Sequence, residues 1–202
     1  MMPRNQRLVR WYVAGLVLGL TVPNRAAAAM QSPVDVIRSR NEAVAELVNA
    51  AGDEVSDEIR EQLKDVINGL IDFRAFSGRA LGRYWDERSD QERSDFVRVF
   101  RQLVRNSSVR KLEVYQADRV EYQAPEARGD NIRVTTLAYK GDKSVEIVYL
   151  LHQVDGEWKA YDVVVDGAST TRNYRDSFYR EIRRSSYQEM YDKLVRRLEQ
   201  EP

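Results

Sequence analysis

Hydrophobic positions along this chain change their period at Asp118 and again after Gly167. Before Asp118 apolar residues recur at three- and four-residue spacing, as on one face of a helix; from there to Val165 they follow strand patterns, and after Gly167 the helical spacing returns. Val34, Ile37, Val44, Leu47, Val48 and Ala51 form a first helical stripe, opened by Pro33 at a first-turn position. After Gly52, Ser56 is placed to cap a second helix bearing Ile59, Leu63, Val66, Ile67 and Leu70. A short helix from Asp72 to about Gly82 carries Phe73, Phe76 and Leu81, followed by the bulky pair Tyr84-Trp85. Ser89-Asp90-Gln91-Glu92 is a capping box for a helix with Phe96, Val99, Phe100, Leu103 and Val104 inward. Its pattern extends through Val109 and Leu112 toward Tyr115, with Asn106-Ser107-Ser108 as a place for a kink.

Val120, Tyr122 and Ala124 then alternate with Arg119, Glu121 and Gln123. Turn signals at Gly129-Asp130-Asn131, Gly141-Asp142 and Asp155-Gly156 separate further runs at 132–139, 144–152 and 157–165. Four strands joined by short turns predict an antiparallel meander. The last two are apolar on both faces in part, as expected of central strands covered by helices, which the N-terminal half supplies. Tyr174, Phe178 and Ile182 mark another helix after Gly167, and Ser186-Tyr187-Gln188-Glu189 opens a last one with Met190, Tyr191, Leu194, Val195 and Leu198 inward. The expected class is α+β, helices packed on a curved four-stranded antiparallel sheet.

The first residues stand apart from this pattern. Arg4, Arg7 and Arg10 precede an apolar run from Trp11 to Val22 and a small-residue stretch, Ala26 to Ala29. Basic head, apolar segment and small-residue cleavage zone are the parts of an export signal. The run is shorter than the ~20 residues that span a bilayer. Residues 1–29 are therefore assigned to a signal peptide cleaved near Ala29, and residues 30–202 to a single domain working outside the cytoplasm. The chain has no cysteine, which excludes disulfides, thiolate metal sites, a Cys nucleophile and a lipid-modified cleavage point.

The chain balances 32 basic against 32 acidic residues. Removing the signal takes four arginines and no acid, leaving 28 basic against 32 acidic residues, a net charge of −4. A mildly acidic surface of interspersed signs gains little from nucleic-acid phosphates, so no nucleic-acid partner is expected. Basic residues do cluster from Arg172 to Arg184. Such a run is either a solvated helix face or a docking face for an acidic partner or membrane headgroups.

Catalytic chemistry is hard to assemble. His152 is the sole histidine, no G-x-S-x-G elbow supplies a nucleophile, and zinc or calcium ligand clusters are missing. No phosphate-cradling glycine loop is present either. No metal and no cofactor are expected. Asp162 and Asp166 bracket an apolar strand end. A carboxylate there can serve as a general base or, alternatively, accept hydrogen bonds from neighbouring loop or helix N–H groups. The abundance of large apolar side chains reads equally as a filled core or as the lining of a cavity for an apolar ligand.

Particular residues narrow this. Ile71-Asp72-Phe73, Leu81-Gly82-Arg83-Tyr84-Trp85 and Ser89 to Phe96 with Phe100, then Trp158-Lys159-Ala160-Tyr161-Asp162-Val163, Asp166-Gly167-Ala168-Ser169 and Asn173 to Phe178, occur in an order and spacing that resemble the MlaC, or toluene-tolerance auxiliary, family. The resemblance runs from about Pro33 to Leu198. One departure is visible: near Ser107 an aromatic residue is expected.

The resemblance implies a cystatin-like fold, not an enzyme, with an apolar pocket between sheet and helices that takes phospholipid acyl chains. It implies a monomeric periplasmic shuttle exchanging lipid with an inner-membrane Mla-type ABC transporter complex and an outer-membrane Mla lipoprotein-porin complex. The residues expected to line the pocket are Leu70, Phe73, Phe76, Leu81, Phe96, Phe100, Leu103, Val134, Val148, Leu150, Val163, Val165, Tyr174 and Phe178. Asp162, Gly167 and Ser169 are expected to define the fold: a carboxylate tying sheet to helix, a turn glycine and a helix cap. The competing readings are a carrier of hopanoid-type or other apolar lipids, an enzyme using Asp162 on an apolar substrate, and an envelope adaptor with a filled core.

Overall fold

A computed structural model describes residues 31–52, 55–109 and 117–200. The signal-peptide assignment and the run from Leu112 to Tyr115 lie outside these residues. Among the described residues five helices, α1 (Pro33–Ala51), α2 (Asp57–Asn68), α3 (Phe73–Leu81), α4 (Arg83–Asp86) and α5 (Asp90–Ser108), precede the strands. The strands are β1 (Arg119–Tyr122), β2 (Glu126–Arg128), β3 (Asn131–Lys140), β4 (Lys143–Val154), β5 (Glu157–Val165) and β6 (Ala168–Ser169), and α6 (Thr170–Arg184) and α7 (Tyr187–Glu199) close the chain.

The helices start where a side chain can satisfy free backbone donors. Ser56 accepts from Ile59 N, Asp72 from Arg74 N and Ala75 N, and Ser186 from Glu189 N. At α5 the predicted capping box closes in both directions: Glu92 N donates to Ser89 Oγ, and Ser89 N donates to Glu92 Oε2 at 2.8 Å. Backbone and hydroxyl hydrogen bonds from Ser89, helped by Arg88, hold the Glu92 carboxyl below its ordinary value. A folded value below the unfolded one means that this contribution is complete above the unfolded value and is lost as pH falls through the folded one. In an NMR acid titration Glu92 should therefore titrate below a reference-peptide Glu, and Ser89→Ala should move it back up; an unmoved midpoint would contradict the box.

The polar triplet of α5 ends the helix rather than kinking it. Ser107 and Ser108 hydroxyls donate back to the carbonyls of Val104 and Arg105, and Val109 forms the C-cap. The one-turn α4 has no signal in the periodicity. It follows Gly82, whose φ of 52° reverses the chain after α3.

All four predicted strands form, and two short ones extend the sheet to six, in the order β1-β3-β4-β5-β6 with β2 also on β3. β1 pairs with residues 136–139 of β3 and β2 with residues 131–133, so both lie along one edge, broken around Pro125. Proline has no N–H for a ladder, which confines it to such edges. Between β4 and β5 the register slips: Leu150 pairs with Asp162 but Leu151 with Ala160, leaving Tyr161 as an extra residue. A bulge of this kind bends the strand and increases its twist.

The two faces of the sheet are covered differently. Val134, Tyr149, Leu151, Ala160 and Val163 pack with Ile37 of α1 and Leu70 beyond α2. On the opposite face, Leu150, Asp162 and Val164 look toward α6. The covering helices thus come from both halves of the chain, not from the N-terminal half alone. A second cluster joins α3, α5, α6 and α7 through Phe73, Phe76, Leu81, Phe96, Phe100, Phe178 and Met190. A third, Val44, Val48, Leu63 and Val109, holds α1 and α2 together as a hairpin against the end of α5.

Candidate functional site

Where the hairpin cluster meets the sheet cluster, the packing leaves an apolar cavity of about 160 Å³. Its floor is the sheet, Ile147 and Tyr149 of β4 with Val163 and Val165 of β5. The register explains the grouping: Ile147 faces Val165 and Tyr149 faces Val163 across the ladder, so all four share one face. Ile37 and Val44 of α1, Val66 and Ile67 of α2, and Leu70 and Ile71 after it form the walls. The link Leu70-Ile71-Asp72 is fixed to the sheet edge, since Ala160 N donates to Leu70 O and Asp72 N donates to Ala160 O.

Two polar side chains join this lining, and both have structural partners. Arg40 Nη1 donates to the Val66 carbonyl at 3.1 Å, near the open end of α2. Burial lowers the pKa of this guanidinium, an effect that Glu157 partly opposes. Its approach depends on Gly69, where a Cβ would lie 2.9 Å from Arg40 Nη1 and 2.8 Å from Asp65 O. Asn41 Nδ2 donates to Tyr122 Oη at 3.1 Å, joining α1 to β1.

The residues expected to line a pocket fall into distinct places. Leu70, Val163 and Val165 border the apolar cavity. Val134, fully buried, belongs to the same sheet-side cluster. Phe73, Phe76, Leu81, Phe96, Phe100 and Phe178 are buried in the helix–helix core. There Phe100 packs at ring-centroid distances of 5.8 Å from Phe76, 5.3 Å from Phe96 and 5.4 Å from Phe178. Leu103 and Tyr174 border a separate 120 Å³ space between α5, α6 and α7. Val148 is buried, and its place in the alternation puts it with Leu150 on the α6 side of the sheet. Leu150 lines a polar cleft there, beside Asp162, Val164 and three arginines. Sequence reasoning missed Ile147 and Tyr149, although their alternation with Val148 and Leu150 carried the signal, and missed the α1–α2 wall apart from Leu70.

The Asp162 carboxylate has a structural task. It is 3% exposed; Oδ1 accepts from Val163 N at 2.9 Å and Thr171 N at 3.0 Å, and Oδ2 accepts from Ser169 Oγ at 2.6 Å. Ser169 in turn caps α6 by accepting from Arg172 N, and Gly167, at φ 78°, makes the turn between β5 and β6. The three fold-defining roles expected of Asp162, Gly167 and Ser169 are all present. His152 clamps the end of β4 to the start of α3, its Nε2 2.9 Å from Asp72 Oδ2. Among the described residues no group of three or more acidic or histidine side chains could hold a metal ion, and no helix is long and apolar enough to cross a membrane.

Known proteins share this build. The chain is 21% identical over 173 residues to the intermembrane phospholipid transport system binding protein MlaC of Haemophilus influenzae, covering 81% of each chain. Its fold matches that of the phospholipid-binding protein from Ralstonia solanacearum, solved in complex with a phospholipid, with a TM-score of 0.69 and 17% identity over 84% of this chain and 98% of that one. The family model described as MlaC protein matches residues 38–199, and the chain belongs to the MlaC family.

Proposed function

We propose that this chain is a phospholipid carrier whose acyl-chain site is the cavity between the α1–α2 hairpin and the sheet. The observation that carries this reading is the position of the cavity, at a seam between two separate hydrophobic clusters. Sites for drug-sized ligands usually enclose ~300–1,000 Å³, so a cavity of about 160 Å³ must widen to accept lipid tails. The hairpin cluster, which closes on Val109 at the end of α5, is distinct from the aromatic core of α3, α5, α6 and α7, so the seam can widen without parting that core. Each methylene shielded from water in the apolar site gains ~0.8 kcal/mol, which opposes the cost of parting the seam. The headgroup then remains outside.

Transport of this kind needs no bond-making step. The carrier would take and release lipid in the periplasm, at an inner-membrane Mla-type ABC transporter complex and an outer-membrane Mla lipoprotein-porin complex. Native mass spectrometry of the protein purified from a bacterial periplasm tests the reading. One bound two-tailed phospholipid is expected; an empty protein that also refuses added lipid would overturn it, and a polycyclic lipid would replace the ligand class.

A further inference from the structure

On the face of the sheet opposite the apolar cavity, the chain forms a polar cleft of about 460 Å³ lined by Arg79 of α3 and Arg172 and Arg175 of α6. We propose that this cleft is a binding site for a phosphate group, separate from the acyl-chain site. On α5, by contrast, Arg93, Arg98 and Arg105 are paired with Asp90, Asp95 and Asp65. None of the three cleft arginines makes an ion pair among the described residues. Among the described residues the only carboxylate in the lining, Asp162, is buried and committed to Val163, Ser169 and Thr171. The N-terminus of α6 is already satisfied by Asp162 and Ser169, so the guanidinium groups, not the helix end, supply the site.

Two of these arms are held in place without an acid. The Arg79 guanidinium lies 4.6 Å from the centroid of the Tyr161 ring, the residue that the β5 bulge adds. Arg175 runs along Gly82, where a Cβ would stand 3.2 Å from its Cδ and 2.4 Å from Tyr179 Oη. Like charges gathered in a concavity repel one another and focus a positive potential on whatever anion enters. Three cations against one buried carboxylate leave a charge of +2 in the lining, which matches a phosphate at roughly −1.5 to −2. Forked guanidinium donors from two helices suit the several oxygens of a tetrahedral phosphate better than the two of a carboxylate. The phosphate can belong to a soluble phosphate or to a lipid headgroup presented at a membrane surface.

Inorganic phosphate is the first probe, titrated into the isotope-labelled full-length mature protein at low salt and followed by NMR. Saturable shifts around Arg79, Thr171 and Arg172 are expected. The double variant Arg79→Gln/Arg172→Gln, both at exposed positions, should weaken binding by about tenfold or more, as expected for losing charge-assisted hydrogen bonds. Arg180→Gln/Arg184→Gln, both on α6 and with the same change in net charge, should leave it unchanged. Vesicles of phosphatidylcholine with and without phosphatidic acid then assign the source: cleft-dependent binding to the acidic vesicles marks a headgroup, and its absence marks a soluble phosphate. No saturable phosphate binding, equal losses in both double variants, or binding of a polyglutamate peptide in place of phosphate would overturn the site. Inorganic phosphate has no acyl chain, and the lipid content of the cleft variant is read separately, so this outcome is independent of the carrier reading.

Discussion

Val163→Arg is expected to strip the purified protein of phospholipid, while Leu150→Arg, on the neighbouring strand, leaves it loaded. Both residues are apolar, half-buried and central to the sheet, but they point to opposite faces. Val163 pairs with Tyr149 and borders the apolar cavity; Leu150 pairs with Asp162 and borders the arginine cleft. An arginine at position 163 fills part of a 160 Å³ space with a cation whose burial without a partner costs several kcal/mol. That penalty opposes the ~0.8 kcal/mol gained per acyl methylene at the proposed acyl-chain site. At position 150 the same side chain emerges among polar groups and water. Lipid phosphorus per folded protein, with circular dichroism to confirm folding, reads the difference. A folded Val163→Arg that still carries lipid, or a Leu150→Arg that alone loses it, would move the tails to the other face.

This pair also marks where the sequence ceased to be legible. The helix starts were readable because a hydroxyl or carboxylate at the cap and the spacing of apolar residues are local: Ser56, Asp72, Ser89 and Ser186 all cap where expected. The capping-box motifs needed nothing beyond four consecutive residues; at Ser89 the box closes in both directions, whereas at Ser186, also expected to form a box, the cap is the single bond from Glu189 N to the hydroxyl. The four predicted strands were equally local, since alternation and glycine turns sufficed; β2 and β6, of three and two residues, are too short to show a period. Facing was not. Runs such as Ile147 to Leu151 and Val163 to Val165 are apolar on both sides, so only the register, with its slip at Tyr161, decides which members meet the hairpin.

The aromatic residues pose the same problem at the next level. Phe73, Phe76, Phe96, Phe100 and Phe178 show three helical stripes in sequence, and a stripe reports burial without naming what covers it. In the fold they cover one another, with Met190 of α7 closing the cluster. The cavity is lined instead mainly by aliphatic side chains, with Tyr149 as its aromatic member. Of the cleft, the basic run around Arg172 and Arg175 was visible, but Arg79 joins it only through the packing of α3 beside α6.

Asp162→Ala is expected to cost about 3–5 kcal/mol of stability, several times the effect of Asp162→Asn. Hydrogen bonds to a charged group contribute roughly 1.5–3 kcal/mol each, and a buried donor left without a partner pays its desolvation in full. Alanine removes the acceptor of Val163 N, Thr171 N and Ser169 Oγ at once. It also loosens Ser169, which caps α6 on Arg172 N. Asparagine keeps one carbonyl oxygen for the two backbone donors, and its amide can donate to the Ser169 hydroxyl, which accepts as readily as it donates; its cost should be about 1 kcal/mol. Against a total stability of roughly 5–15 kcal/mol, the alanine loss is readable as a lower midpoint in urea with an unchanged slope. The asparagine variant should still carry lipid, because Asp162 lies across the sheet from the cavity. An alanine variant as stable as the parent would show that the β5–α6 junction is held by something other than this carboxylate, and lipid binding lost in a folded asparagine variant would return Asp162 to the ligand site.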